Sequence, residues 1–227
     1  MIEKIVVIGL GGIGSFLALV LCRYLNFVSY CKKVVLVDGD RYSRGNLERQ
    51  NIKVTDETRN KAETQAEQFK NLFGELTMVA VPEFVTEKNV SEIITERSIV
   101  FLAVDNHTTR KIVSDQCKRL QDVILISGGN ELIDGNVQVY LKKNGRSRNP
   151  SIEKFHPEIE FPKDRNPAEI SCEELARMPG SEQIIFTNLM AACLMLNVFH
   201  TIATERPLRF SEVYFDIEQN RALPRQR

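Results

Sequence analysis

Short apolar runs alternate with helix-length segments along the first half of the chain. Five runs are apolar at nearly every position: Ile5–Ile8, Val34–Val37, Met78–Val81, Ile99–Val104 and Val123–Ile126. Helical periodicity appears in the segments Ser15–Leu25, Lys61–Phe73 and Thr108–Leu120. Strands that are apolar on both faces and separated by helices are typical of a parallel sheet covered on both sides. The pattern therefore predicts an α/β, Rossmann-like fold.

The second half of the chain predicts an extension of this sheet. Asn136–Leu141 alternates in character, which favours an antiparallel strand. Lys142–Pro167 contains four prolines and little apolar periodicity, and we interpret residues 142–180 as a crossover loop region. A helical pattern returns near Ser181, and a strand is predicted at Glu212–Asp216 before a polar tail. We expect one domain over residues 1–227, with a nucleotide-binding core at 1–141 and a C-terminal helix and strands at 181–227.

Charge and cysteine content narrow the class of protein. Lys+Arg and Asp+Glu number 30 each among 227 residues, so no global charge favours nucleic acid or an anionic membrane. The apolar helix Asn188–Ala203 is shorter than the roughly 20 residues that span a bilayer. Five cysteines occur without any CxxC pair. We expect a cytoplasmic protein with reduced thiols, no membrane association and no structural zinc.

A glycine-rich loop follows the first predicted strand and precedes the first predicted helix. It contains Gly9, Gly11, Gly12 and Gly14. Glycines let the backbone approach a phosphate, and a helix N-terminus supplies N–H donors with a partial positive charge. Asp38, at the end of the second strand, suits a hydrogen bond to ribose hydroxyls. These features predict nucleotide binding but do not distinguish ATP from NAD.

Charged and amide side chains after the second and fourth strands favour ATP. Arg49 and Lys61 could neutralise the charge that develops when the α–β bond of ATP breaks. Asp105 could hold Mg²⁺, which prefers carboxylate and phosphate oxygens. Asn46 and Gln50 could donate hydrogen bonds to phosphate without adding charge. These charged and amide residues begin with Asn46, shortly after Asp38-Gly39-Asp40. An enzyme that transfers hydride has no evident need for them.

These motifs resemble the ThiF/MoeB/HesA family, the activating enzymes for ubiquitin and ubiquitin-like proteins. The matching pieces cover about the first 110 residues and are GLGGIGS, DGDRYSRGNLERQ, the helix-starting Lys61, and VDNHTTR. The resemblance implies ATP, Mg²⁺ and formation of an acyl adenylate on a Gly-Gly carboxyl terminus, with release of pyrophosphate. The implied partner is a small ubiquitin-like or sulfur-carrier protein, and the implied assembly is a homodimer.

The resemblance also assigns roles by position. Asp38 would bind ribose, and Asp105 the metal. Phosphate contacts would come from Asn46, Arg49, Gln50 and Lys61. Asp40 belongs to the same nucleotide-binding run.

Cys172 is the candidate for a further step, because many family members pass the adenylate to a cysteine in the crossover loop. It follows the proline-rich segment at a predicted helix N-terminus, where the dipole lowers a thiol pKa. The neighbouring Glu173 and Glu174 oppose thiolate formation, so a structural role stays open.

Other functions stay open at the level of sequence. Adenylation could act on a short peptide or on a carboxylate carried by tRNA. A nucleotide-binding redox or sensor domain of the NAD type would also use Asp38, but it would leave Arg49, Lys61 and Asp105 unexplained. A scaffold without activity would have no need of this polar set.

Overall fold

A computed structural model describes residues 2–170, 174 and 183–226. Within them, nine strands form one mixed sheet in the order β3-β2-β1-β4-β5-β6-β8-β9, with β7 paired to β6. The parallel strands are β1 (Lys4–Ile8), β2 (Lys33–Val37), β3 (Thr77–Val81), β4 (Ser98–Leu102) and β5 (Val123–Asn130). The antiparallel strands are β6 (Asp134–Lys143), β7 (Arg146–Ser147), β8 (Glu212–Asp216) and β9 (Arg221–Arg225).

Helices cover both faces of the sheet. They are α1 (Gly12–Phe27), α2 (Lys61–Leu72), α3 (Val90–Ile93), α4 (His107–Arg119), α5 (Pro157–Glu160) and α6 (Ile185–Ala203). Alternate strand residues point to opposite sides: Val7 packs in a core with α1, α2 and α6, whereas Val6 packs in a second core with α3, α4 and α5. Strands β1, β2 and β4 are thus buried on both faces, which explains their unbroken apolar runs, whereas β3, at the sheet edge, buries only Met78.

Helix α6 is the one helix in the described ranges that is long and apolar enough to cross a membrane by length and composition. One side of it is buried, including Ala191, Met195 and Val198. That side packs on α1, β5 and β6. Its placement is that of a core helix.

The predicted fold class is confirmed, with differences at the element ends. Strand β5 continues past Ile126 to Asn130 because its last residues pair with β6, down to Gly135. The predicted polar tail is wrong: Arg221–Arg225 forms β9, which gains its backbone hydrogen bonds from β8. Strand β6 reaches Lys143 and turns into β7, so this hairpin runs beyond residue 141. Cys172 lies outside the described residues.

Candidate active site

The glycine-rich loop lies at the carboxyl end of β1 and is held by close packing. Gly9 has φ +86°, and a Cβ atom there would lie 2.6 Å from the Ala103 carbonyl oxygen. A Cβ on Gly14 would lie 1.8 Å from the Gly9 carbonyl oxygen. At Gly11 the nearest atom to such a Cβ is 3.8 Å away, on Gln50. Gly9 and Gly14 therefore close the turn, whereas Gly11 leaves room for a ligand beside the first turn of α1.

A cavity of about 810 Å³ opens above this loop. Its walls include nearly all the predicted nucleotide-binding and phosphate-contacting residues: Gly9, Gly11, Gly12, Asp38, Asp40, Asn46, Arg49, Gln50, Lys61 and Asp105. Gly14 is the exception, because it packs beneath the loop. Towards the antiparallel half of the sheet, the same cavity continues along β6, β8 and β9. The structure thus brings the predicted set together in one site.

Asp38 is fixed at the end of β2 by two backbone donors. Its Oδ2 atom accepts from the Leu10 N–H at 2.7 Å, and its Oδ1 atom accepts from the Asp40 N–H at 2.8 Å. Burial raises the pKa of Asp38, although the charge of Lys61 and both backbone donors oppose that rise. The carboxylate is therefore held beside the glycine loop.

Lys61 is the first residue of α2, and its side chain is buried. Its Nζ atom donates to Asp40 Oδ2 at 2.6 Å. Burial lowers the pKa of Lys61, but the carboxylates of Asp38, Asp40 and Asp105 outweigh burial and raise it above its ordinary value. Lys61 is therefore a charged amine held inside the cavity.

Asn46, Arg49 and Gln50 lie in and after a short 3₁₀ helix, Arg44–Asn46. Asn46 Oδ1 accepts from the Ser43 N–H at 3.0 Å, which leaves its amide NH₂ as the donor group. Arg49 Nη1 donates to Gln183 Oε1 at 2.8 Å. Gln50 is buried, and its Oε1 atom has no partner within the described residues.

Asp105 is exposed in the cavity wall directly after β4. The neighbouring Asn106 caps α4, because its side chain accepts from the Thr109 N–H. The Asp105 carboxylate is therefore not used as the cap. The described ranges contain no group of three His, Cys, Asp or Glu residues that could hold a metal. A single carboxylate beside a phosphate site fits Mg²⁺, which takes its other ligands from phosphate and water.

Two buried polar residues of the site have roles that sequence reasoning did not assign. Arg110 donates to Ser127 Oγ and to the carbonyl oxygens of Val104 and Gly128, and burial lowers its pKa to about 10. It therefore joins the ends of β4 and β5 beneath the cavity. Asn188, fully buried on α6, lies against Gly12 and lines the cavity. Its only sequence signal is an amide within an apolar helix.

Comparison with known proteins finds relatives that match part of this chain. The SAMP-activating enzyme E1 of Haloferax volcanii is 31% identical over 134 residues, which are 59% of this chain and 47% of that protein. The adenylyltransferase and sulfurtransferase MOCS3 of Drosophila virilis is 29% identical over 139 residues, 61% of this chain and 29% of that protein. The chain thus spans less than half the length of these relatives.

Solved structures share the fold at lower identity. A structure of E. coli MccB with ATP matches 99% of this chain and 63% of that chain, with TM-score 0.72 and 18% identity. A structure of the microcin C7 biosynthetic enzyme MccB with N-formylated MccA has TM-score 0.74 and 18% identity, over 99% of this chain and 64% of that one. The ThiF family matches residues 2–225. The chain therefore belongs to the ThiF family.

Proposed function

We propose that this protein uses ATP to adenylate the C-terminal carboxylate of a small protein, releasing pyrophosphate. One observation carries the proposal: Arg49, Lys61 and Asp105 line the same cavity as the glycine loop and Asp38. Two cations and a carboxylate around a nucleotide loop match the needs of a reaction at the α-phosphate. An NAD-type redox domain would use Asp38 and the loop but would leave these three residues without a task.

The reaction follows from the placement of charge. A carboxylate oxygen of the substrate attacks the α-phosphorus, a new P–O bond forms, and the bond from that phosphorus to the bridging oxygen breaks. Pyrophosphate departs with the electron pair of that bond. Arg49 and Lys61 stabilise the negative charge on the leaving group. A carboxylate is already ionised near neutral pH, so this step requires no general base.

ATP and Mg²⁺ fit the residues present. Asp38 would hold the ribose, the first turn of α1 a phosphate, and Asp105 the metal. When bound, Mg²⁺ would neutralise phosphate charge. The protein's own part is to align the nucleotide against the open end of the cavity, which runs along β6, β8 and β9.

For the acyl substrate we propose a ubiquitin-like or sulfur-carrier protein ending in Gly-Gly. The relatives named as SAMP-activating enzyme and as MOCS3 support a small protein as the partner. A short peptide is the second candidate, since the fold also matches MccB, which was solved with MccA. We retain a cytoplasmic location and no nucleic-acid partner as parts of the proposal.

Exchange between ATP and radiolabelled pyrophosphate tests the proposed reaction. With Mg²⁺ and carrier proteins or peptides ending in Gly-Gly, we expect exchange that depends on the free carboxylate. Asp105→Asn should reduce exchange at least about 100-fold, as expected for loss of one group that stabilises the transition state. The matched control is Asp122→Asn, whose carboxylate accepts from the Asn144 N–H at the opposite end of the sheet. NADH binding without exchange for any carboxylate would contradict the proposal.

The same assay separates adenylation from a later transfer to Cys172. If Cys172 forms a thioester, Cys172→Ala should leave exchange intact and remove a substrate adduct that is stable to denaturation but cleaved by thiols. Exchange requires only adenylation. Loss of exchange in Cys172→Ala would therefore mean that Cys172 supports the site structurally.

A homodimer is the remaining part of the proposal. Helices α1 and α6 pack against each other, and both carry exposed apolar side chains. We call this surface the α1–α6 face; it comprises Val20, Tyr24, Phe27, Phe186 and Leu189. Large exposed apolar patches on soluble proteins mark interaction sites, and a second copy of the same face is the proposed occupant.

A further inference from the structure

A chain of hydrogen bonds links Arg49 to α6 through one oxygen atom. Gln183 Oε1 accepts from Arg49 Nη1 at 2.8 Å. The same oxygen accepts from Asn188 Nδ2 at 3.5 Å. All three residues line the cavity above the glycine loop. A single acceptor oxygen thus receives an arginine donor and an amide donor, which is also how a phosphate oxygen is held in protein sites.

Asn188 is placed against the phosphate-binding loop. A Cβ atom at Gly12 would lie 2.3 Å from Asn188 Nδ2 and 2.8 Å from Asn188 Oδ1. Asn188 is fully buried, and its Oδ1 atom has no partner among residues 2–170 and 183–226. A phosphate has no donor for Oδ1. What Asn188 offers a phosphate is its Nδ2 donor, whose described partner, Gln183 Oε1, lies 3.5 Å away.

We propose that Asn188 is a phosphate-binding residue of the site, and that Gln183 Oε1 occupies the place of a phosphate oxygen when no nucleotide is present. The inference rests on the proposed ATP-dependent function. ATP would displace Gln183 and take over the donors of Arg49 and Asn188. Because Arg49 is assigned to the leaving pyrophosphate, Asn188 contacts the β- or γ-phosphate rather than the nucleoside part.

Equilibrium binding of ATP, AMP and pyrophosphate, each with Mg²⁺, tests the assignment without knowledge of the acyl substrate. Asn188→Ala should weaken ATP and pyrophosphate about 10- to 150-fold, as expected for loss of one hydrogen bond to a charged group. AMP binding should stay unchanged, because AMP lacks the β- and γ-phosphates. Asn197→Ala, an exposed position on the same helix, is the matched control and should bind all three ligands normally.

Gln183→Ala tests whether Gln183 occupies the phosphate position in the absence of nucleotide or itself binds the nucleotide. If Gln183 competes with phosphate, its removal should leave the affinities for ATP and pyrophosphate equal to wild type or several-fold tighter. If Gln183 instead binds phosphate, its removal would weaken both affinities.

Asn188→Asp is a second variant of nearly the same size. Its carboxylate would repel phosphate, so ATP binding should fall further than in Asn188→Ala, with AMP less affected.

Three outcomes would overturn the inference: equal weakening of AMP and ATP in Asn188→Ala, wild-type ATP binding in Asn188→Asp, or weaker ATP binding in Gln183→Ala. Each leaves the proposed function intact as long as the wild-type protein binds ATP. If the wild-type protein binds neither ATP nor AMP, the proposed function itself fails.

Discussion

Lys61 occupies a position that neither helix electrostatics nor solvation favours for a cation. It begins α2, where the helix dipole is positive, and its side chain is only 7% exposed. What stabilises its charge is the surrounding set of Asp38, Asp40 and Asp105. The three carboxylates raise the pKa of Lys61, and Lys61 in turn opposes the rise that burial causes in the pKa of Asp38, the proposed ribose ligand.

Lys61→Met should raise the pKa of Asp38 further, because burial already raises it and Lys61 is the largest influence opposing that rise. A raised folded-state pKa means that Asp38 contributes stability below its ordinary value of 3.8, and that this contribution is lost as pH rises through the folded-state pKa. In Lys61→Met the loss should extend to higher pH. ATP affinity at neutral pH should fall at least about tenfold, since one charge-assisted phosphate contact is removed.

Carbon-13 NMR titration of the Asp38 carboxyl and ATP binding by calorimetry measure both effects. Lys70→Met, at an exposed position of the same helix, is the control. An unchanged Asp38 pKa in Lys61→Met would contradict the electrostatic coupling.

Individual site residues differ in how far sequence could predict them. Asp38 and Lys61 could be placed near the loop from their positions at the end of β2 and the start of α2, whereas Arg49 lies in a polar stretch whose path no periodic pattern predicts. Asn188 lies 176 residues from Gly12 in the chain, and an asparagine in an apolar helix gives no sign of what it contacts. Only the packing of α6 on α1 shows that it belongs to the site.

At the scale of elements, the segment between β7 and the candidate Cys172 is anchored to α4. Asp164 accepts from the N–H groups of His107 and Thr108 at 2.6 and 2.9 Å, at the first turn of that helix. Asn166, which is buried, donates to the Val85 carbonyl oxygen at 2.8 Å. The low apolar periodicity of this segment predicted a loop, and side-chain to backbone bonds of this kind leave no periodic signal.

Asp164→Ala should loosen this anchor. Loss of a carboxylate that caps a helix costs about 1 kcal/mol, so amides near residue 164 should exchange roughly fivefold faster. Burial raises the pKa of Asp164, but the Thr108 hydroxyl and the two backbone donors lower it below its ordinary value of 3.8. A depressed folded-state pKa gives stability that is present above 3.8 and lost as pH falls through the lower value. The anchor should therefore hold at neutral pH and release only in acid.

Hydrogen–deuterium exchange read by mass spectrometry checks this prediction, with Glu160→Ala as the control at an exposed position of the same segment. Equal exchange in Asp164→Ala and in the wild-type protein would show that Asn166 and the buried Ile159 hold the segment without the carboxylate.

Strands could be predicted from the sequence where their burial requires a run of apolar residues. Strands β1, β2, β4 and β5 are buried over most of their length, so their apolar runs were visible in the sequence. Strand β9 is exposed throughout and contains Pro224, so its sequence carries no strand pattern. It exists because the edge of β8 offers unpaired backbone groups, and that is a property of the assembled sheet.

At the scale of the whole molecule, the sheet has two different halves around one cavity. The parallel half supplies the glycine-rich loop, Asp38 and Asp105, and the antiparallel half lines the open end of the cavity. On the side of the sheet that carries α1 and α6, the α1–α6 face presents apolar side chains to the exterior. Helices α1 and α6 meet at Gly12 and Asn188, in their first turns beside the cavity.

A charge placed in the α1–α6 face should separate the proposed dimer. A twofold interface joins the same surface of two copies, so each substitution occurs twice in it. Val20→Glu or Leu189→Glu therefore adds two buried charges per dimer. An unpaired buried charge costs several kcal/mol, which would weaken dimerisation at least about 100-fold. Sedimentation equilibrium should show a dimer for the wild-type protein and a monomer for either variant. Val54→Glu, at an apolar position 71% exposed outside this face, should remain dimeric. A wild-type monomer, or a dimer in both face variants, would mean that this face binds something other than a second copy.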